Sequence, residues 1–465
     1  MFQLGVLFVQ RLPPKTLKKT MTTIDVQAGR LSQEQLSENF SDSHPPLNSG
    51  NAIVEANRCY FCFDAPCIDA CPTAIDIPNF IRKISTGNLK GSARDIFSQN
   101  IMGGMCARVC PTETLCEGAC VRETQDHQPV RIGELQRYAT DSYLETSETF
   151  FERAESSGKK IAVVGGGPAG LSCAHRLAVL GHHAVVFEAR EKLSGLNEYG
   201  IAAYKTVNDF AQREVDFILK IGGIEIRTNQ RLGQDVKLED LRQEFDAVFL
   251  SVGLGDVNSL GLESEEIAGV YDAVDTILEL RQSVNLAELS VGRRVIVIGG
   301  GSTAIDIAVQ SKKLGAEDVT LAYRRGPEQM NATWKEQEFA QTNGVRVKHW
   351  VAPKSLRSEN GHVTGIEFEC MELNPEGKLR GTGEFRHMEA DVDFKAIGQL
   401  LEDSVFSGSE MPTIEGGKIN VNLEFETSLP GVWAGGDCVG SGEDLTVQSV
   451  EDGKQAALSI HRRLK

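Results

Sequence analysis

The sequence predicts an α/β protein in which a small helical, cysteine-rich domain precedes two Rossmann-like nucleotide-binding domains. Segments 161–190 and 293–325 each place a glycine-rich turn between a β-branched strand and an amphipathic helix, which is typical of such domains. Eight of the eleven cysteines fall between positions 59 and 120, ahead of both segments. The 465 residues are enough for about two to four domains, so the chain can accommodate all three.

The first glycine-rich segment predicts a dinucleotide site. A buried strand over 161–164 runs into GGGPAG, whose glycines serve the tight turn, the approach of a pyrophosphate to the backbone and the packing of helix on strand. The helix that follows directs free N–H groups and a partial positive charge at the phosphates. The second strand ends in an acid placed to accept a ribose hydroxyl. The residues assigned to this site are Gly165, Gly167, Pro168, Ala169, Gly170 and Glu188.

The second glycine-rich segment predicts another dinucleotide site with different chemistry. Its GGGSTA turn again lies between a β-branched strand and an amphipathic helix. The next strand ends in two arginines instead of an acid, and two cations can hold a 2′-phosphate that an acid would repel. This favours NADP over NAD, although the same pair is compatible with a solvated strand end. The residues assigned to this site are Gly299, Gly301, Ser302, Thr303, Ala304, Arg324 and Arg325.

The C-terminal segment predicts a flavin site. A strand over 432–434 leads into Gly435, Gly436 and Asp437, and an amphipathic helix runs from about Thr446 to the end of the chain. An aspartate at this point suits a hydrogen bond from a flavin ribityl chain, and the helix N-terminus suits the isoalloxazine edge. The segment LSGLNEYGIAAYK contains no cysteine, so we do not expect thiol–disulfide chemistry at this flavin.

The cysteines form two closely spaced runs that favour iron–sulfur clusters. The runs are C-x2-C-x4-C-x3-C-P and C-x3-C-P-x4-C-x3-C, and such Cys-Pro endings often ligate a neighbouring cluster. Structural zinc is an alternative, but it usually takes two C-x2-C pairs and the second run has none. Disulfides are disfavoured because the chain is large and nucleotide-binding. Eight thiols equal the number of ligands that two [4Fe–4S] clusters take.

Composition limits the expected partners and location. The net charge of −17 argues against binding to nucleic acid or to an anionic membrane, and no apolar run reaches the roughly 18 residues of a membrane helix. The cysteine usage points to a reducing compartment, so we expect a cytoplasmic protein. Residues 1–20 are basic and free of acids. We expect a translated leader before Met21, with an organellar presequence as the alternative.

Together these motifs resemble the iron–sulfur flavoprotein module shared by the small subunit of glutamate synthase and the electron-input half of dihydropyrimidine dehydrogenase. The resemblance covers the chain from about residue 50 onward. The strings CFDAPCIDACPTAIDIPNFI, DIFSQN and TVQSVEDGKQAA are similar to the pyrimidine enzymes. Gln136 is also similar to the pyrimidine enzymes, whereas the glutamate synthase relatives place a glutamate at this position. The fit is therefore closer to the NAD(P)H-oxidising subunit of bacterial dihydropyrimidine dehydrogenase.

The resemblance implies a division of the metal ligands. One cluster would be held by Cys59, Cys62, Cys67 and Cys120, and the other by Cys71, Cys110, Cys116 and Gln136. Cys106 would stay free. Near the flavin, the resemblance implies contacts from Gly195 and Leu196. Two positions depart from the family pattern: Ser194 stands where a glycine is frequent, and Asn331 stands where the NADP-using pyrimidine enzyme has a second phosphate-binding arginine.

The resemblance also implies a domain order and a reaction. We expect a flexible arm over 1–49, a helical domain with two [4Fe–4S] clusters over 50–145, an FAD domain formed by 159–288 and 396–465, and an NAD(P) domain inserted at 289–395. NAD(P)H would reduce FAD, and the clusters would carry electrons to a separate FMN-containing subunit that reduces uracil or thymine, or runs the reverse reaction. No catalytic acid or base is expected in this chain, since the cofactors supply the chemistry. A glutamate synthase small subunit and a generic or redox-sensing electron-transfer flavoprotein are the alternatives.

Overall fold

Two parallel five-stranded sheets dominate the computed structural model, which describes residues 25–146, 148–263 and 265–465. The predicted leader, residues 1–20, lies outside these ranges. The central strand of each sheet belongs to one of the two glycine-rich segments, so the predicted α/β class with two Rossmann-like units is confirmed. None of the described helices combines the length and hydrophobicity that a membrane crossing requires.

The first sheet carries the first glycine-rich segment. Its strands, in spatial order, are Val432–Ala434, Ala247–Leu250, Lys160–Val164, His183–Phe187 and Ile224–Arg227, all parallel. The central strands are apolar and buried because helices cover both faces of the sheet. The chain leaves this sheet after residue 250 and returns to it only at Val432. The unit is therefore discontinuous in sequence.

The second sheet lies within that interruption. Its strands, in spatial order, are Val345–His349, Asp318–Tyr323, Arg294–Gly299, Val392–Ala396 and Val270–Asp272, all parallel. The sequence places residues 270–288 in the first unit. Strand Val270–Asp272 instead pairs with Val392–Ala396, and helix Ala273–Gln282 packs into the core of the second sheet. We therefore propose a domain boundary before Val270.

A three-stranded antiparallel sheet packs against the second parallel sheet. It consists of Val351–Glu359, His362–Leu373 and Leu379–Glu389. Its apolar face and one face of the second sheet share a small core. Short strand pairs complete the β structure: Val26–Gln27 with Val291–Gly292, Asp256–Val257 with Gln399–Leu400, and Ile414–Glu415 with Lys418–Ile419.

The helices divide between the cysteine-rich region and the covers of the two sheets. In the cysteine-rich region they are Ser49–Ala56, Pro66–Asp69, Ile77–Ser85, Leu89–Gln99, Gly103–Val109, Val121–Asp126 and Ile132–Leu144. Those packed with the sheets are Pro168–Val179, Leu196–Tyr199, Phe210–Leu219, Leu238–Glu244, Ala273–Gln282, Ser302–Lys313, Trp334–Thr342 and Thr446–Leu464. Short 3₁₀ turns occupy Leu286–Glu288, Pro327–Gln329 and Asp403–Phe406. The cysteine-rich helices enclose their own apolar core around the thiols.

The predicted flexible arm is wrong for residues 25–49. Strand Val26–Gln27 pairs with Val291–Gly292, and the following helix, Gln33–Asn39, buries Leu36 in the core of the second sheet. Polar composition suggested a free segment, but these few apolar side chains find a complementary surface elsewhere in the fold. Contacts between segments this far apart in sequence cannot be predicted from the local pattern of either segment.

Candidate functional site

One cavity of about 1460 Å³ joins the two nucleotide-binding segments. The predicted site residues that line it are Gly165, Gly167, Pro168, Ala169, Glu188, Gly195, Leu196, Gly299, Gly301, Ser302, Thr303, Arg324, Arg325, Gly436, Asp437 and Thr446. Cys110 lines the same cavity. The fold thus brings the two glycine-rich turns, the C-terminal segment and part of the second cysteine run to one site.

The first turn has the shape that a bound pyrophosphate needs. Gly165 has a φ of +104°, and a Cβ there would lie 2.2 Å from the carbonyl oxygen of Ser251. A Cβ on Gly170 would lie 1.9 Å from the carbonyl oxygen of Gly165, so the helix packs tightly under the turn. A Cβ on Gly167 would meet nothing closer than 3.8 Å, which leaves its backbone open towards the cavity. The three glycines therefore fit the three roles expected of them.

Glu188 lies at the end of its strand with its carboxylate already oriented. Oε2 accepts a hydrogen bond from the backbone N–H of Gly166 at 2.7 Å, and Oε1 accepts one from Arg190 N–H at 2.8 Å. Each oxygen keeps a further lone pair. The geometry fits the proposed role of accepting a ribose hydroxyl.

The loop at Ser194 closes against the first turn. Ser194 has a φ of +88° and is fully buried, so its backbone has the conformation that favours the family's glycine. Its N–H donates to the carbonyl oxygen of Gly166 at 2.7 Å, while its hydroxyl has no partner among the described residues. A Cβ on Gly195 would approach Gly167 Cα to 3.0 Å. The buried Ser194 hydroxyl thus stands without a partner next to Gly195, which lines the cavity.

The C-terminal segment brings a carboxylate and a helix N-terminus to the same cavity. Asp437 accepts a hydrogen bond from the Ser449 hydroxyl at 3.0 Å, and burial raises the pKa of its carboxyl group. Thr446 begins the helix Thr446–Leu464, and its hydroxyl donates to the side-chain oxygen of Asn197 at 2.8 Å. This arrangement fits the proposed contacts with a flavin ribityl chain and ring.

The second turn is open where a nucleotide would approach. Gly299 has a φ of +153° and packs against the carbonyl oxygen of Ala396, whereas a Cβ on Gly301 would meet nothing within 4 Å. Arg324 and Arg325 are exposed at the cavity, and neither makes an ion pair with any described residue. Two unpaired guanidinium groups fit the proposed 2′-phosphate site. Asn331 also lines the cavity.

A charged network between the two turns was missed at the sequence level. The ammonium group of Lys205 lies 2.7 Å from Asp306 Oδ1 and 3.6 Å from Glu336 Oε1. Burial would lower the pKa of Lys205, but Asp306 and Glu336 outweigh it and raise that pKa, so the lysine stays charged. The sequence feature that could have indicated this network is Asp306, an acidic residue on the buried face of the helix after the GGGSTA turn.

The first predicted cysteine set converges in space. Cys59, Cys62, Cys67 and Cys120 line one small cavity at the surface of the helical domain. Burial, followed by the neighbouring Cys120 and Cys59, raises the pKa of the Cys67 thiol to about 12. Four thiolates so close together repel one another unless metal compensates their charge, and iron would do so. These four thiols are thus of the donor type that an iron–sulfur cluster takes, and they line the same cavity.

The second predicted set is drawn together from both runs. Cys106, burial, and the nearby Cys116 and Cys71 all raise the pKa of the Cys110 thiol. Gln136 is nearly buried, and its amide nitrogen donates to the carbonyl oxygen of Gly103 at 2.7 Å, which leaves the amide oxygen as its candidate iron donor. The assignment of Gln136 as the fourth ligand, with Cys106 free, stays a prediction. Across the described ranges, no group of three or more His, Cys, Asp or Glu side chains could hold a metal ion as placed.

Comparison with known proteins agrees with this combination of sites. Residues 36–148 match the family described as dihydropyrimidine dehydrogenase domain II, 4Fe-4S cluster, and residues 126–269 and 159–453 match the pyridine nucleotide-disulphide oxidoreductases. The protein is thus an NAD(P)H-dependent oxidoreductase of the flavin and iron–sulfur class. The chain belongs to the pyridine nucleotide-disulphide oxidoreductase family, in the branch that carries this iron–sulfur domain.

Relatives of both predicted kinds match over nearly the whole chain. The glutamate synthase [NADPH] small chain of Escherichia coli K12 is 34% identical over 446 residues, covering 90% of this chain and 93% of the relative. The NAD-dependent dihydropyrimidine dehydrogenase subunit PreT of the same organism is also 34% identical, over 431 residues, covering 92% and 98%. The predicted resemblance to this shared module is confirmed. Overall identity does not choose between its two members.

Solved structures share the fold of the two sheets. FprA from Mycobacterium tuberculosis superposes with a TM-score of 0.56 at 18% identity, covering 66% of this chain and 84% of that one. Thioredoxin reductase from T. acidophilum gives a TM-score of 0.51 at 18% identity, covering 66% of this chain and 99% of that one. At this identity the likeness establishes the fold alone.

Proposed function

We propose that this chain is the electron-input subunit of a dihydropyrimidine dehydrogenase. In this proposal it oxidises NAD(P)H at FAD and passes electrons through two [4Fe–4S] clusters to an FMN-containing partner subunit. The partner reduces uracil or thymine to the 5,6-dihydropyrimidine, or runs the reverse reaction. When bound, the nicotinamide supplies hydride, the flavin divides the electron pair, and the clusters carry single electrons.

The chain's own residues bind and orient these groups. The turn around Gly167 and the helix behind it hold a pyrophosphate, and Glu188 and Asp437 accept hydroxyl hydrogen bonds from ribose and ribityl groups. Arg324 and Arg325 hold a 2′-phosphate, and the second turn brings the nicotinamide nucleotide into the same cavity as the flavin segment. No side chain is assigned as a catalytic acid or base.

The observation that carries the pyrimidine assignment is Gln136. Its side chain is nearly buried beside the helix Gly103–Val109, which leads directly into Cys110. An amide at this point matches the pyrimidine enzymes, whereas the glutamate synthase relatives have a carboxylate. The second candidate, a glutamate synthase small subunit, is favoured by the 34% identity to the Escherichia coli small chain. A generic electron-transfer flavoprotein is the third.

A partner subunit and a reducing compartment belong to the same proposal. Both kinds of relative are named as subunits or chains of larger enzymes, which supports a hetero-oligomer here. All eleven cysteines lie within the described ranges and none is disulfide-bonded, which supports a cytoplasmic location.

The test is pyrimidine turnover by the reconstituted enzyme. The chain is purified anaerobically and assayed alone and with a candidate FMN-bearing subunit, using NADH and NADPH in separate arms and uracil as substrate. We expect reduction of a dye by the chain alone, and reduction of uracil only with the partner. Uracil turnover by the chain alone would contradict the proposed division of labour.

A second arm separates the two candidate enzymes. The same chain is mixed with a glutaminase-bearing glutamate synthase large subunit and supplied with glutamine and 2-oxoglutarate. Glutamate formation in that arm, with no uracil turnover in the first, would replace the pyrimidine assignment with the glutamate synthase one. Absence of rapid NAD(P)H oxidation with any acceptor would favour a sensing role.

A further inference from the structure

The loop that carries Cys71 is held from two sides. The thiol lies at the start of a tight turn in which the N–H of Ala74 donates to the carbonyl oxygen of Cys71 at 2.8 Å. The ammonium group of Lys454 donates to the carbonyl oxygens of Gln99 at 3.1 Å and of Thr73 at 3.4 Å. Lys454 is buried and pairs with Glu451 at 2.6 Å, so its charge is compensated. The backbone position of Thr73 is therefore well defined.

Thr73 directs its hydroxyl group at the sulfur of Cys71. The side chain is fully buried, and Oγ1 lies 3.3 Å from Cys71 Sγ. Among the described residues this sulfur is the only hydrogen-bond partner of the hydroxyl. With a free thiol, either atom can donate the hydrogen. A cysteine that ligates iron is a thiolate and carries no proton, so the threonine must then be the donor.

We propose that Thr73 donates a hydrogen bond to the cluster-bound thiolate of Cys71 and thereby raises the reduction potential of that cluster. A hydrogen bond withdraws electron density from the sulfur and stabilises the more negative, reduced cluster. Thr73 acts through Cys71 and is a positioning residue. The inference rests on the proposed function, because it takes Cys71 as an iron ligand.

The helix Thr446–Leu464 connects this loop to the flavin segment. A Cβ on Gly453 would lie 2.0 Å from the carbonyl oxygen of Ala169, so this helix lies directly on the helix of the first glycine-rich turn. Lys454 follows at the next position and contacts the Cys71 loop. At 1.5 Å per residue it lies about 12 Å along the helix from Thr446, which lines the main cavity. The helix Thr446–Leu464 thus contacts both the main cavity and the loop that carries Cys71.

The test compares Thr73→Val with Thr73→Ser in the intact, cluster-loaded chain. Valine keeps the shape of threonine and removes the hydroxyl, whereas serine keeps the hydroxyl. Potentiometric titration followed by EPR is expected to show one cluster of the valine variant shifted to lower potential, with the other unchanged and the serine variant close to wild type. Thr114→Val is the matched control, since Thr114 lies in the second cysteine run but donates to the carbonyl oxygen of Pro111.

The outcomes separate this inference from the function on which it rests. Unchanged potentials in a fully loaded Thr73→Val variant would overturn the inference and leave the function standing. A wild-type chain that holds no iron and sulfide would overturn the function itself. If the valine variant does not take up its clusters, resonance Raman spectra of the wild type and of Thr73→Ser provide the test. We expect the frequency of an Fe–S(Cys) stretch to shift in D₂O in both proteins. A stretch that is insensitive to D₂O in both would refute the hydrogen bond.

Discussion

Glu214 allows a prediction of how the free energy of unfolding changes with pH. Its carboxyl group is fully buried on the helix Phe210–Leu219, and Oε1 accepts hydrogen bonds from the backbone N–H groups of Gly104 at 2.9 Å and Met105 at 3.0 Å. Oε2 has no hydrogen-bond partner among the described residues. Burial raises the pKa of this carboxyl group from 4.5 to about 8, against the lowering effect of those N–H groups and of Arg108.

The sign and size follow from proton linkage. Between pH 4.5 and about 8 the folded state holds a proton that the unfolded state has released, so the free energy of unfolding falls as pH rises. The loss is about 1.4 kcal/mol per pH unit, or about 5 kcal/mol across the whole window. Stability from this group is therefore fully present below pH 4.5 and lost above about 8.

The perturbation is Glu214→Gln, which keeps an acceptor for the two N–H groups but cannot ionise. Between pH 6 and 8 its free energy of unfolding should improve relative to wild type by roughly 3 kcal/mol. Denaturant unfolding followed by tryptophan fluorescence measures this difference, with the exposed Glu152→Gln as control. Infrared spectra should also show a protonated carboxyl band near pH 7 that Glu214→Gln lacks. Parallel stability curves for wild type and variant from pH 6 to 8 would refute the reasoning.

Three further substitutions test the candidate sites. Gly453→Ala should destabilise the chain by about 1–3 kcal/mol and weaken flavin retention, because the new Cβ would lie 2.0 Å from a backbone carbonyl oxygen. Thermal unfolding and the amount of bound flavin measure these effects. The control is Gly440→Ala, where a new Cβ would meet nothing within 4 Å. Arg325→Ala should raise the KM for NADPH several-fold and leave that for NADH unchanged, and equal effects on both in steady-state kinetics would argue against a 2′-phosphate site. Cys62→Ser should lose about half of the bound iron while Cys106→Ser keeps it, as iron analysis and EPR would report; equal losses would contradict the proposed ligand division.

The glycine-rich turns could be predicted from sequence because their requirements are local. A strand that must turn sharply, admit a phosphate and start a helix within a few residues needs glycine at defined positions, and Gly165 and Gly299 show the corresponding backbone conformations. The strand Lys160–Val164 and the helix Thr446–Leu464 were predicted for the same reason. Their hydrophobic periodicity lies within one element.

The sequence by itself thus determined the α/β class, the two nucleotide-binding segments and the cysteine runs. Only the tertiary structure decided which distant residues meet. It pairs Val270–Asp272 with the second sheet, docks residues 25–49 onto that unit, and joins Lys205 to Asp306. It also presents the Thr73 hydroxyl to Cys71 by way of a lysine nearly 400 positions further along the chain. Such contacts depend on the complementarity of surfaces far apart in sequence, and no local periodicity or spacing encodes that complementarity.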